Sequence, residues 1–288
     1  MRSRFSLVFL LTALLTATSA LAQLAEGDAL WERRAEGARG AVAAAGPVEA
    51  AIAAYRKALA ADPSNLEARW KLMRALRFKG VHVATGSDAK KRIFDEAKEI
   101  GAEGVALLDR QLAARNAGSV AEGNLERVAA ALRPIPHAGQ FLYWDAVNWG
   151  EWALVFGKLA AVRQGAADRI KRESTLVLTI DPAIERSGGS RVLGRLHHQT
   201  PRVPFITGWA SNEEAVRQLE RAYAADPSDK VTTVFLAEAL VDEDRDNRDR
   251  AVALLRKVLN DPNDPRFAVE QAKAQNDARE LLERWGVR

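Results

Sequence analysis

The sequence predicts an all-α fold built from repeated helical units, and two observations carry that prediction. Residues 58–65 read A-L-A-A-D-P-S-N, and residues 222–229 read A-Y-A-A-D-P-S-D. Each stretch closes one amphipathic helical pattern and opens the next. Between residues 48 and 285, apolar residues recur at the i, i+3, i+4, i+7 spacing of a buried helix face, and no segment sustains the alternation of a strand.

The spacing of the Asp-Pro pairs indicates the kind of repeat. Asp226-Pro227 and Asp261-Pro262 lie 35 residues apart, close to the tetratricopeptide period of about 34. Asp62-Pro63 and Asp181-Pro182 fall outside that spacing. We therefore expect a degenerate tetratricopeptide-like helical-repeat array (an α-α superhelix) that forms one domain over residues 23–288. Arrays of this type bind partners on a concave face.

The N-terminus has the pattern of a secretory signal peptide. Arg2 and Arg4 precede the uncharged apolar run of residues 5–17, and Ala20-Leu21-Ala22 is a small-x-small cleavage site. We expect residues 1–22 to be removed and the mature chain to be soluble in the periplasm. The alternative is a retained anchor, but threonines and serine dilute the run, which is short for a membrane span.

Composition excludes several classes of protein. The chain of 288 residues has no cysteine, so it has no disulfide, thiolate metal site, cysteine nucleophile or lipid-anchoring cysteine. Arg2 and Arg4 supply two units of the formal net charge of +4. Basic and acidic residues are interleaved along the helices, which is typical of a solvated helical surface and not of a nucleic-acid-binding face.

Apolar periodicity and turn residues divide the chain into helices. Asp-Pro pairs stop helices, since the residue before proline is pushed out of the α region. Ser64 or Asn65 can cap the second helix, which we expect to end at Gly80. The predicted helices cover residues 48–59, 66–80, 93–112, 125–132, 141–162, 168–180, 191–198, 212–223, 231–240, 251–258 and 267–285.

Two features inside this pattern carry their own predictions. Gly101 and Gly104 lie within a long helix, where we expect them to allow close contact with another helix. Ser211 and Glu214 form a capping box that opens the helix after an irregular loop at residues 201–209.

The segment at residues 141–162 is apolar on nearly every side, so we expect it to be the central buried helix. Asp145 and Asn148 lie on it beside Trp144, Trp149 and Trp152. One interpretation is a ligand pocket, with apolar walls and a few polar groups. The other, which the cost of burying polar groups favours, is that the two polar side chains bond to neighbouring helices and fix their register.

A second set of polar residues follows at residues 191–198. Arg191 and Arg195 share a helix face, where they can clamp a carboxylate or form ion pairs with Asp181 or Glu185. His197 and His198 are adjacent and point in different directions, so they do not chelate a metal together.

No pattern of catalytic or metal-binding residues emerges. Asp242, Asp244 and Asp246 resemble the start of a calcium loop, but Asn247 and Ala253 occupy the positions that need glycine and glutamate. We expect instead an acidic turn with Asn247 or Asp249 as a helix cap. The sequence therefore predicts a protein that is not an enzyme, with no cofactor and no metal.

Together, several motifs resemble the T component associated with tripartite ATP-independent periplasmic (TRAP) transporters. The matching residues are Tyr143-Trp144 with Trp152, Asp181-Pro182, the run G-G-x-R-V-L-G-R-L-H at residues 188–197, P-x-x-P-F at residues 201–205, Gly208, A-A-D-P at residues 224–227 and L-A-E-A-L at residues 236–240. The match runs from about residue 141 to residue 259. Of these motifs, R-V-L-G-R-L followed by P-x-x-P-F is the more specific.

The resemblance implies an all-helical periplasmic accessory protein with cryptic tetratricopeptide-like repeats. It implies a solute-binding protein as partner, and it allows a trimer and an apolar small-molecule ligand. The alternative function is a general cell-envelope scaffold that mediates protein–protein interaction. If a ligand pocket exists, we expect it between the tryptophan-rich helix and residues 191–205, lined by the candidate site residues Trp144, Asp145, Asn148, Trp149, Trp152, Arg191 and Phe205.

Overall fold

The computed structural model describes residues 20–204 and 206–287, and within these ranges it contains helices and no strand. An isolated bridge joins Arg39 and Val42. Most of the predicted signal peptide lies outside the described residues. The helices are α1 at residues 20–32, α2 (Ala45–Ala61), α3 (Leu66–His82), α4 (Ser87–Ala113), α5 (Leu125–Leu132), α6 (Ala138–Phe156), α7 (Lys158–Arg163), α8 (Ala166–Ile180), α9 (Gly188–Gln199), α10 (Asn212–Ala225), α11 (Lys230–Glu243), α12 (Arg248–Asn260) and α13 (Ala268–Arg284).

The two similar octapeptides fold into the same turn. Asp62 ends α2 and Asp226 ends α10, each as the residue after the last helical one. In both turns the aspartate Oδ1 accepts hydrogen bonds from the backbone N–H and the hydroxyl of the serine two positions on, at 3.0 and 2.6 Å. Asn65 and Asp229 then cap α3 and α11. The two similar sequences therefore share one local structure of helix, Asp-Pro turn and capped helix.

The helices sort into two sets by their contacts. Helices α3, α6, α9, α11 and α13 form one set, in which each member touches the next, and we call it the inner set. Helices α2, α4, α8, α10 and α12 each pack against the members of the inner set that flank them in sequence. The short helices α5 and α7 lie beside α8.

Glycines set the distance between α4 and its neighbours, as the sequence predicted. A Cβ at Gly101 would overlap Oδ1 of Asp145, and one at Gly104 would overlap the ring of Phe141. Gly80 does not end α3, which continues to His82. A Cβ at Gly80 would lie 2.5 Å from the ring of Phe94, so this glycine also serves close packing.

The tryptophan-rich helix is shorter than predicted. It ends at Phe156, because Gly157 takes a left-handed φ of +89° and opens the separate helix α7. Beyond Trp152 the segment is no longer buried all round. Leu154, Leu159 and Val162 are 70%, 65% and 52% exposed, which corrects the prediction of one buried helix to residue 162.

The last helix, α13, packs against the first helices that the structure describes. Val269 of α13 is buried in the apolar cluster formed by α1, α2 and α3. Arg34, just after α1, pairs with Glu270 and donates a hydrogen bond to the carbonyl of Arg266. The N-terminal and C-terminal helices therefore share one core. Of the described helices, none is long and apolar enough to cross a membrane.

Candidate functional site

Two of the predicted site tryptophans, Trp149 and Trp152, are packed inside the protein. They are 5% and 4% exposed and meet edge to face, with ring centroids 5.6 Å apart. The indole N–H of Trp152 donates to Asp95 at 2.7 Å, and its ring stacks on Phe156. The ammonium group of Lys98 lies 4.4 Å from the centre of the Trp152 ring. These contacts use both the faces and the polar edge of Trp152 for packing.

Asp145 lies at the centre of a buried charge cluster between α6 and α8. It is fully buried, and its Oδ2 accepts a 2.5 Å hydrogen bond from Arg169. Arg169 also pairs with Glu173 at 3.0 Å. Burial, followed by the negative charge of Asp145, raises the pKa of Glu173 well above its usual range. One guanidinium thus faces two carboxyl groups, and a protonated Glu173 leaves the cluster neutral.

Asn148 connects two helices of the inner set. Its amide nitrogen donates to the carbonyl of Met73 on α3 at 3.2 Å and to that of Trp144 on α6 at 2.8 Å. The side chain is 1% exposed. These contacts match the structural alternative for Asn148, in which the amide fixes the register of neighbouring helices.

Arg191 and Arg195 form ion pairs, but with different acids from those predicted. Arg191 pairs with Asp229 at 2.8 Å and also donates to the hydroxyl of Tyr143 at 2.8 Å. Arg195 pairs with Glu238 at 2.6 Å. Asp181 and Glu185 were the expected partners. Asp229 caps α11 and Glu238 lies on it, and no local pattern in the sequence predicts that this helix packs beside α9.

The acidic turn before α12 also differs from its prediction. The cap is Asp244, which accepts from the N–H of Asp246 and opens the 3₁₀ turn Arg245–Asn247. Asn247 takes the N-cap position of α12, as one of the two predicted alternatives had it, but its side chain makes no capping hydrogen bond, and Asp249 lies in the first turn of the helix. Asp242, the first acid of the series, instead pairs with His198 at 2.8 Å.

Trp144 faces a strained turn. Its indole N–H donates to Glu185 at 3.1 Å. Glu185, Arg186 and Ser187 are three successive non-glycine residues with positive φ, at 49°, 56° and 62°. Such residues cost about 1–3 kcal/mol each. Arg186 in this turn forms an ion pair with Asp226 at 2.8 Å, and its guanidinium lies over the ring of Phe267.

Two open clefts of about 270 and 400 Å³ lie elsewhere, at the start of α6, and both include Ile135, Pro136 and His137. Neither is lined by any predicted site residue. Phe205 lies outside the described residues. The expected pocket between α6 and residues 191–205 therefore stays a prediction.

A cluster of cations and aromatic rings that was not predicted from the sequence lies where Trp31 and Arg34 meet α3. The guanidinium carbon of Arg74 lies 4.2 Å from the ring centre of Trp31 and 4.9 Å from that of Trp70. Arg34 lies 4.4 Å from the Trp31 ring. Trp70 and Arg74 are four apart on α3, a spacing that marks a shared helix face. That spacing was the available signal, but only the fold brings Trp31 to it.

Metal-binding geometry is not found within the described ranges, where no three His, Cys, Asp or Glu side chains converge. The chain matches no protein-family model, and a search of curated proteins finds no similar sequence.

Proposed function

We propose that the protein is a helical-repeat binding protein of the periplasm, with a tetratricopeptide-like α-α superhelix. We propose further that it serves as an accessory, T-component-like subunit of solute uptake. The observation that carries the proposal is the division into two helix sets, with the same Asp-Pro turn at residues 62–65 and 226–229. Stacked helix pairs of this kind offer an extended surface for partners.

The inner set carries the partly buried aromatic residues Trp70, Trp144 and Phe235. Three of its arginines, Arg74, Arg191 and Arg195, lie against aromatic rings. Aromatic and arginine side chains are the ones that dominate binding energy at protein interfaces. On this basis the partner is a folded protein, and the motifs at residues 141–259 make a periplasmic solute-binding protein the first candidate.

The test is affinity capture from the native periplasm after chemical cross-linking, followed by mass spectrometry. The expected result is enrichment of a solute-binding protein over a capture with an unrelated periplasmic protein. N-terminal sequencing of the captured bait should begin at Gln23. A bait that starts at Met1 and stays in the membrane or cytoplasmic fraction contradicts the proposal.

The second candidate is a general envelope scaffold with no part in transport. The packing of Trp149 and Trp152 against protein atoms favours it, because these rings leave little room for an apolar ligand. Organic extraction of the purified protein and mass spectrometry distinguish the two. An apolar molecule that copurifies with the wild type and is lost in Trp152→Ala supports the first candidate. A clean extract, together with capture of envelope proteins other than a solute-binding protein, supports the scaffold.

The charge cluster of Asp145, Arg169 and Glu173 does not favour an enzyme. A raised pKa in a cleft is a mark of a catalytic acid. Here, however, the two carboxyl groups are 0% and 1% exposed, so a substrate has no access to them. Their arrangement fits a structural role at the crossing of α6 and α8.

A further inference from the structure

Arg74 differs from the other arginines of α3 and α9. Each of the others is paired with an acid: Arg69 with Glu103, Arg77 with Glu151, Arg191 with Asp229, and Arg195 with Glu238. Across residues 20–204 and 206–287, Arg74 forms no ion pair with a carboxylate within 4.0 Å, and its polar neighbour is the neutral hydroxyl of Tyr55. Its Nε atom is buried and unpartnered.

The surroundings of Arg74 hold its guanidinium in place without neutralising it. Trp31 and Trp70 lie against it, and the indole nitrogen of Trp70 is also buried and unpartnered. Burial lowers the pKa of Arg74, although the nearby Tyr55 and Glu185 act in the opposite direction. A half-buried cation without a counter-ion is costly, and an anion that reaches it removes that cost.

Glu185 is the acid whose charge acts on Arg74, but its carboxylate is hydrogen-bonded to another residue. Its Oε1 accepts the hydrogen bond from Trp144. The carboxylate of Glu185 lies close enough to act on the charge of Arg74, but the two side chains form no ion pair within 4.0 Å. Glu185 therefore acts on the charge of Arg74 without forming an ion pair with its guanidinium.

We propose that Arg74 is the anchor of a carboxylate-binding site on the inner helix set, with the rings of Trp31 and Trp70 as its walls. The inference rests on the proposed binding role of this set and names the ligand chemistry. A planar guanidinium fork matches the two oxygens of a carboxylate. Trp70 and Trp144 are both half-buried against the same apolar cluster, and their exposed parts offer an apolar surface for the tail of a bound carboxylate.

The test is titration of the full mature protein with sodium hexanoate, followed by tryptophan fluorescence and thermal shift, with hexanamide as the neutral probe. We expect a saturable response to hexanoate with a Kd on the order of millimolar, as for a small fragment, and none to hexanamide. Sodium acetate separates the headgroup from the tail, since it should bind more weakly than hexanoate.

Three variants make the test specific. Arg74→Gln should weaken hexanoate binding about 10- to 100-fold, since bonds to charged groups carry that much. Arg77→Gln, one turn along α3 and already paired with Glu151, should leave it unchanged. Glu185→Gln keeps an acceptor for Trp144 and removes a repelling charge, so it should tighten binding about threefold to tenfold. Each variant is first checked for a native circular dichroism spectrum, and Arg74→Lys replaces any Arg74→Gln protein that does not fold.

Equal responses to hexanoate and hexanamide, or unchanged binding in Arg74→Gln or Arg74→Lys, overturn the site. So does weaker binding in Glu185→Gln, which would show that Glu185 supports the ligand. Partner capture in the periplasm does not depend on this result. If a partner is captured but no carboxylate binds, the proposed site is wrong and the proposed function stands. If hexanoate binds but no partner is captured, the site stands and the proposed function is wrong.

Discussion

The guanidinium of Arg34 and the carboxylate of Glu270 form an ion pair at 3.1 Å, although 236 positions separate them in the chain. The Arg34 side chain is 4% exposed, and its guanidinium carbon lies 4.4 Å from the Trp31 ring and 5.8 Å from each of the Phe78 and Phe267 rings. An open array of repeats has contacts only between neighbours. This pair joins the two ends, so the stability of α1 and of α13 should be linked.

Removal of the Arg34 charge should destabilise the whole protein. Arg34→Gln leaves Glu270, 18% exposed, without its partner, and the expected loss is about 3–5 kcal/mol in the free energy of unfolding. The adjacent Arg33→Gln is the control, since its pair with Glu36 is more than half exposed and screened by solvent, so its removal should change the stability little. Urea unfolding followed by circular dichroism measures both. Equal losses in the two variants would contradict the linkage of the ends.

Two glycine substitutions should have opposite effects on stability. Gly101→Ala forces its methyl group against the Asp145 carboxylate and should cost about 1–3 kcal/mol. Gly150→Ala meets nothing within 4 Å and should gain about 0.5–1 kcal/mol, because alanine is the better helix former. Thermal melting of the two proteins tests the pair. A Gly101→Ala protein that melts at or above the wild-type temperature would show that the two helices can move apart at little cost.

The buried acid cluster predicts a loss of stability as pH rises. The pKa of Glu173 is raised in the folded state, so the folded protein keeps a proton that the unfolded chain releases above about pH 4.5. Its contribution is complete below that pH and declines as pH rises toward the folded pKa. Glu173→Gln removes this decline, so its stability relative to the wild type should increase between pH 5 and 8, by about 1.4 kcal/mol for each pKa unit of the shift. Denaturant unfolding across that range measures the difference.

Exposed Glu280 on α13 provides the control for this titration. Glu280→Gln should follow the wild-type pH profile in parallel. If Glu173→Gln also runs parallel to the wild type, Glu173 does not hold its proton in the folded state.

The helical fold was predictable because its signals are local. Asp-Pro turns, caps and apolar spacing act within a few residues, and Asp62, Asp181, Asp226 and Asp261 do end helices as the sequence indicates. The break at Gly157 was missed because apolar residues continue on both sides of it, and glycine in such a run gives only a weak signal.

The partners of the site residues were not predictable, since they depend on which distant helices meet. The sequence placed Arg191 and Arg195 on one face but could not select Asp229 and Glu238, and it did not bring Trp31 to Arg74. Of the two alternatives for Asn148, the sequence favoured the one in which it bonds to a neighbouring helix, because a buried amide requires a partner wherever it is placed.

The buried histidine His82 predicts a second, acid limb of the pH profile. It is 4% exposed, and its Nδ1 atom lies 3.2 Å from the carbonyl oxygen of Ala41. Burial, followed by the charge of Arg77, lowers its pKa to about 3. The unfolded chain takes up this proton below about pH 6.5 and the folded protein does not, so stability present above that pH is lost as pH falls.

His82→Asn keeps a donor at the δ position and removes the titration, so it isolates this limb. We expect this variant to be less stable than the wild type at pH 7, because the ring that packs 4.8 Å from Phe78 is gone. Between pH 6.5 and pH 5, however, it should lose about 1.5 kcal/mol less of its free energy of unfolding than the wild type loses. Part of the slope should remain, since burial also lowers the pKa of His197, to about 4. His137→Asn, whose ring is 37% exposed, is the comparison for the loss of an imidazole at the surface. Urea unfolding at half-unit pH steps decides the outcome, and a His82→Asn profile as steep as the wild-type one would mean that other groups produce the acid limb.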